Sequence, residues 1–233
     1  MEKVLILGAA GQIGTELVNT LRATYGNDQV IAGDLLAANL SEPCIQIDAT
    51  DEHALRELVT KEGVTVVYQL VAMLSATGEK LPEKAWALNM QALFAVLNLA
   101  KDQLIKQVFW PSSIAAFGPN TPTLDSPQMT VMDPTTVYGI SKLSGELWCQ
   151  YYHDKYGVDV RSIRYPGLIS WGAEPGGGTT DYAIDIFRSA KKDNAYTCFL
   201  AEDTRLPMMH MDDAIRATLE LMNAPKEQLS IWT

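Results

Sequence analysis

The chain has 233 residues, a net charge of −10 from 28 acidic and 18 basic side chains, and 47% hydrophobic content, enough for one large domain with a buried core and a small second lobe. The acidic balance argues against nucleic-acid partners, which call for a basic surface, and no run is long and apolar enough to span a bilayer. Cys44, Cys149 and Cys198, like His53, His153 and His210, are scattered without metal-ligand spacing, so free thiols in a reducing compartment are expected and a metal site is not.

Val4 to Leu7 is a short apolar run ending at Gly8, the pattern of a strand buried on both faces. No signal peptide precedes it, which points to a cytoplasmic protein or a processed mitochondrial one. Ile13, Leu17, Val18 and Leu21 recur at helical spacing, and Gly26-Asn27 makes a turn. Gln29 to Asp34 reads as a second strand and Cys44 to Asp48 as a third. A helix is expected over His53 to Lys61, a strand over Val64 to Leu70, and a helix from about Glu83 to Ala100. Gln107 to Trp110 is a fifth strand stopped by Pro111. Val137 to Tyr156 is a long helix and Val158 to Arg164 a sixth strand. After Tyr165 the pattern loosens: Pro175-Gly176-Gly177-Gly178 is a loop signal, and Tyr182 to Lys191 and Asp213 to Met222 look helical. Strands alternating with helices imply an α/β fold with a parallel sheet covered on both faces.

Gly8-x-x-Gly11-x-x-Gly14 falls where the first strand turns into the first helix. Glycines there permit a tight turn and close approach of a pyrophosphate, with Gln12 and Ile13 beside it. The helix N-terminus offers free amides and a partial positive charge. Asp34 ends the second strand, where a carboxylate accepts hydrogen bonds from both ribose hydroxyls of NAD and repels the 2′-phosphate of NADP. Neither Leu35 nor Leu36 supplies a compensating cation. Asp48, followed by Ala49, either meets the adenine end or is a solvated strand-end aspartate. Leu70, Val71 and Ala72 are expected to flank the cofactor near the switch point of the sheet. Tyr138 and Lys142, at i and i+4, share one face of the long helix. An ammonium close to a phenol favours the phenolate and lowers its pKa, which makes the tyrosine a general base.

The glycine turn, Asp34, Asn89, Ser112-Ser113, Tyr138-x-x-x-Lys142 and Arg164-Tyr165-Pro166-Gly167 together resemble the extended short-chain dehydrogenase/reductase family. The resemblance implies a Rossmann-type, doubly wound NAD-binding domain over residues 1–165. A small C-terminal substrate lobe over 166–233 would interleave with its end. It also implies that a serine joins the tyrosine and lysine; alignment back from Phe117-Gly118 makes it Ser113 rather than Ser112. Asn89, Tyr165 and Leu168 are placed near the cofactor, with Tyr138 and Lys142. Pro111 to Gly118, Arg164 to Ser170, Pro175 to Tyr182 and Thr204 to Met209 are similar to the branch that oxidises L-threonine at its β-hydroxyl. That branch implies substrate contacts from Ser75, Ser113, Tyr138, Thr179 and Thr180, and a homodimer formed through the helices around 84–100 and 137–156. Members usually continue beyond Thr233, so the substrate lobe is expected to be shortened. A nucleotide-sugar epimerase or dehydratase and a non-catalytic NAD-binding relative are the alternatives. Ile114 and Ala115, where a dehydratase wants an acid after the serine, speak against the first; retention of Ser113, Tyr138 and Lys142 speaks against the second.

Overall fold

Short apolar runs in this chain fold into the strands of one parallel sheet, and the amphipathic segments between them cover it. The computed structural model describes residues 2–37, 40–170 and 180–229. The elements are β1 (Val4–Leu7), α1 (Gln12–Tyr25), β2 (Val30–Asp34), β3 (Cys44–Gln46), α2 (Glu52–Glu62), β4 (Val66–Gln69), α3 (Ser75–Gly78), α4 (Pro82–Lys101), β5 (Gln107–Phe109), β6 (Ser112–Ser113), α5 (Val137–Tyr156), β7 (Asp159–Arg161), β8 (Arg164–Tyr165), β9 (Gly167–Ile169), α6 (Tyr182–Asp193), β10 (Met208–His210) and α7 (Met211–Asn223).

The main sheet has the order β3-β2-β1-β4-β5-β7, with every pair parallel. Leu7 is in register with Gly33 on one side and Gln69 on the other. The chain thus winds outward from β1 in both directions, and the order reverses between β1 and β4. A crevice opens at the carboxyl ends of the strands at such a point.

Alternation along the buried strands sends side chains to two cores. Leu5 and Leu7 pack with Leu55 of α2, Leu93 and Leu97 of α4 and Cys149 of α5. Val4 and Ile6 pack with Leu17 and Leu21 of α1 and with Ala214 and Ile215 of α7. Local chemistry sets the helix ends. Asp51 accepts a hydrogen bond from the Ala54 amide at the start of α2, and Thr136 from the Gly139 amide at the start of α5. Gly63 and Gly157, both left-handed, end these two helices. Gly145 fixes the approach of α5 to the sheet, because a Cβ there would lie 2.3 Å from the Trp110 ring.

The observed strands are shorter than the sequence suggests. Gln29 belongs to a 3₁₀ turn, Asn27–Gln29. The third strand stops at Gln46, and Asp48 accepts bonds from the Thr50 amide and hydroxyl in a turn. The expected sixth strand divides. After Arg161 the chain leaves the main sheet, and β8 pairs instead with β6, a two-stranded parallel ladder. A second small ladder joins β9 and β10. Neither ladder, nor α3, was expected. The Pro175 to Gly178 loop signal falls outside the described residues.

Candidate active site

A cleft of about 760 Å³ lies at the carboxyl ends of β1, β4 and β6. Gly8, Gly11, Gln12, Ile13 and Gly14 line one end; Ser113, Tyr138 and Lys142 line the other.

The glycine turn is built by backbone contact. Gly8 has φ +83°, a region glycine adopts without strain. A Cβ on Gly14 would lie 2.2 Å from the Gly8 carbonyl oxygen, so α1 starts directly against the strand end. Gly11 caps α1 without a side-chain hydrogen bond, which leaves the first amides of the helix without a capping side chain. The buried Gln12 Nε2 also has no partner. Such donors beside a cleft fit the phosphates of a dinucleotide. Asp34 is fixed next to them: its Oδ2 accepts from the Ala10 amide at 3.0 Å and its Oδ1 from the Leu36 amide at 3.0 Å. The chain's own donor set therefore suits NAD.

Tyr138 and Lys142 stand one turn apart at the start of α5. Ser113 ends β6, where its hydroxyl accepts from the Ala115 amide at 3.1 Å and acts on the Tyr138 phenol, lowering its pKa. Lys142, 3% exposed, donates from Nζ to the Pro111 carbonyl and lies 5.4 Å from the Tyr138 ring centroid. The electrostatics differ from the sequence expectation. Burial pushes the Tyr138 phenol up to about 12, against this opposing effect of Ser113. Burial also pulls Lys142 down to about 7, with Cys149 and Glu146 acting the other way. Desolvation disfavours the charged form of both groups and is the largest cause of both shifts.

Leu70, Ala72, Ser75, Tyr165, Leu168 and Thr180 line the cleft as well. Five expected residues do not: Asp34, Leu35, Asp48, Ala49 and Val71 lie outside its lining, with Asp48 exposed and Ala49 buried. Asn89 is also elsewhere. Its side-chain oxygen accepts from the Met73 amide at 2.7 Å, and its nitrogen donates to the Met73 carbonyl and to Ser141. It fastens the segment after β4 to α4 and α5. Thr179 falls outside the described residues. Sequence reasoning missed Met73, Leu74, Thr77, Ile114 and Leu206 in the lining, which are ordinary residues brought there by loops and short helical turns. It also missed Glu146, although the i+4 spacing from Lys142 was visible.

Among the described residues, no group of three or more His, Cys, Asp or Glu side chains is placed to hold a metal ion. None of their helices is long and apolar enough to cross a membrane.

The sequence is 49% identical over 229 residues to an uncharacterized epimerase/dehydratase of Staphylococcus saprophyticus, covering 96% of this chain and 71% of that protein. The fold matches the holo form of an L-threonine dehydrogenase from Cupriavidus necator with a TM-score of 0.96, at 56% identity over 99% of this chain and 75% of that one. It matches an L-threonine dehydrogenase from Phytophthora infestans with the same score, at 45% identity over 100% and 75%. A family model covers residues 4–231, and the chain belongs to the NAD dependent epimerase/dehydratase family.

Proposed function

We propose that this protein oxidises L-threonine at its β-hydroxyl, giving L-2-amino-3-oxobutyrate, with NAD⁺ reduced to NADH. The observation that carries the chemistry is one cleft that brings Ser113, Tyr138 and a buried Lys142 together with the uncapped start of α1. The choice of substrate rests on the likeness to L-threonine dehydrogenases at 45–57% identity.

NAD⁺, when bound, would supply the acceptor for the hydride that leaves Cβ. The amides at the start of α1 and Gln12 hold its phosphates, and Asp34 takes the ribose hydroxyls next to them. Leu35, Asp48 and Ala49 border the adenine end; Leu70, Val71, Ala72, Tyr165 and Leu168 border the rest. Asn89 contributes by holding Met73 in place. Ser113 bonds the reacting hydroxyl and orients it. Tyr138 Oη takes its proton. Lys142 in its ammonium form steadies the developing phenolate. Ser75, Thr179 and Thr180 hold the amino-acid end of the substrate.

The chain also forms a homodimer in this reading. Trp86 on α4 and Leu147, Trp148 and Tyr151 on α5 are exposed apolar side chains on neighbouring helices, with Phe94 and Trp148 in edge contact at 5.0 Å. Free Cys44, Cys149 and Cys198 accord with a cytoplasmic setting.

The test is NADH formation with L-threonine, L-serine and UDP-sugars. L-Threonine should be the fastest substrate. Faster oxidation of a UDP-sugar would overturn the assignment.

A further inference from the structure

Three consecutive residues after β5 lie against one face of α5. Ser113 lines the same cleft as Tyr138 and lowers its pKa, the Pro111 carbonyl accepts from Lys142, and the Ser112 hydroxyl donates to Glu146 at 2.5 Å. Tyr138, Lys142 and Glu146 are spaced i, i+4 and i+8, so they form one row along the helix. The first two members of the row line the cleft. The third is a carboxylate whose side chain is only 4% exposed.

Glu146 is held as well as holding. Arg164 donates to its two oxygens from Nε and Nη2, at 2.8 Å each. A two-point fork of this kind fixes the plane of the carboxylate as well as its place. Arg164 belongs to β8, which runs beside β6 with Ser112 opposite Arg164 and Ser113 opposite Tyr165. Its Nη1 reaches the Gln128 carbonyl at 3.0 Å, and the Phe117 ring centroid lies 5.4 Å from its guanidinium carbon. The Glu146 carboxylate is thus the point where α5, β6 and β8 meet.

An apolar pair would fill the same volume at a smaller desolvation cost. A forked ion pair adds a single geometry. Ser112 and Ser113 are neighbours in an extended strand, so their side chains leave on opposite faces. Pinning Ser112 to Glu146 therefore sets the direction of Ser113. We propose that Glu146 is a positioning residue for hydride transfer: held by Arg164, it anchors Ser112 and so fixes the Ser113 hydroxyl against Tyr138. This rests on the reading of Ser113 and Tyr138 as the reacting pair.

Two variants separate positioning from stability. Ser112→Ala removes one hydrogen bond and leaves the Glu146–Arg164 pair whole. Glu146→Gln keeps the shape and an acceptor but loses the charge. Each is compared with the wild type in kcat, in KM for NAD⁺, in melting temperature, and in the NMR signal of isotope-labelled Tyr138 Cζ, identified by its loss in Tyr138→Phe. In both variants kcat for L-threonine should fall about tenfold, given that misplacing a reacting group by about 1 Å costs on the order of 10²-fold. KM for NAD⁺ should stay near its original value, and the Tyr138 signal should move. Arg164→Lys keeps the charge but not the fork, and should reproduce the loss. A Glu146 that only supports the fold would lower the melting temperature of Glu146→Gln, while kcat of the folded enzyme and the Tyr138 signal stay unchanged in Ser112→Ala. That result overturns the proposal. If the wild type does not oxidise L-threonine, the Tyr138 signal decides alone: movement upholds the positioning role while the substrate assignment falls, and constancy overturns it.

Discussion

Gly14→Ala tests whether the start of α1 cradles the cofactor. The added methyl would sit 2.2 Å from the Gly8 carbonyl oxygen and 2.7 Å from the Ala9 Cα. Carbon atoms rest at about 3.5–4.0 Å from their neighbours, so the first turn of α1 must retreat by about 1 Å. The opposing atoms are backbone, and no side-chain rotation relieves the overlap. Overpacking of this kind costs about 1–3 kcal/mol, and a protein of this size then melts roughly 2–10 °C lower. The amides at the helix start move with it. Hydrogen bonds to charged groups contribute about 1.5–3 kcal/mol each, so losing one raises Kd for NADH roughly 10–100-fold. NADH fluorescence titration and a melting curve measure the two effects. Gly157→Ala is the control: its φ of +71° makes alanine costly, yet it ends α5 with no atom near its would-be Cβ. That variant should melt lower and bind NADH normally. If folded Gly14→Ala binds NADH as the wild type does, the phosphate cradle is elsewhere.

Tyr138→Phe keeps the ring and removes the base, so kcat should drop about 10²–10⁴-fold with NADH affinity little changed; near-normal turnover in steady-state kinetics would sink the mechanism. Asp34→Ala should weaken NAD⁺ and strengthen NADP⁺, measured as the ratio of kcat/KM values, and a wild type already preferring NADP⁺ would contradict the role of Asp34. Alanine at both Thr179 and Thr180 should raise KM for L-threonine by at least about tenfold, on the strength of hydrogen bonds to a charged carboxylate, without altering NADH binding. Lys142 gives a pH prediction. Its folded pKa is pulled by burial from 10.5 down to about 7, so between these values the unfolded chain binds more protons and stability rises with pH. Melting temperature should therefore climb less steeply from about pH 7 to 9 in Lys142→Met than in the wild type, and equal slopes would show that the buried amine is not the cause.

The main sheet was legible because its signal is local. Val4 to Leu7 and Val66 to Gln69 are apolar runs buried along their length, and Leu17 and Leu21 repeat at the period of the helix that covers β1. What the sequence did not reveal depends on partners distant in the chain. Nothing in Val158 to Arg164 marks the point where the strand must leave β5. The break comes where Arg164 and Tyr165 pair with Ser112 and Ser113, partners separated in the chain by the whole of α5. The pair Gly167 to Ile169 with Met208 to His210 is likewise joined across the segment that carries α6.

The site divides along the same line. Glycine spacing, Asp34 and the Tyr138–Lys142 interval are patterns within one element, and reading them required only the period of a helix or the end of a strand. Burial is not such a pattern. The sequence shows that a phenol and an ammonium are neighbours, and neighbouring opposite charges imply a lowered phenol pKa. It does not show that Trp110 and Pro111 close over Lys142, the first with its ring centroid 4.5 Å from Nζ and the second with its carbonyl. Nor does it show that the phenol is itself buried, which is what reverses the shift on Tyr138. Asn89 carries the same lesson: the family resemblance placed it near the cofactor, and the structure shows its amide bonded to Met73, which lines the cleft, and to Ser141. The choice between Ser112 and Ser113 needs both kinds of information. Strand alternation says that only one of them can face Tyr138. Which one does is decided by Glu146, 34 residues further along, through the hydroxyl that Ser112 gives it. The geometry proposed for the reacting groups therefore depends on how β6 sits against α5, close to where Gly145 leaves room for the Trp110 ring.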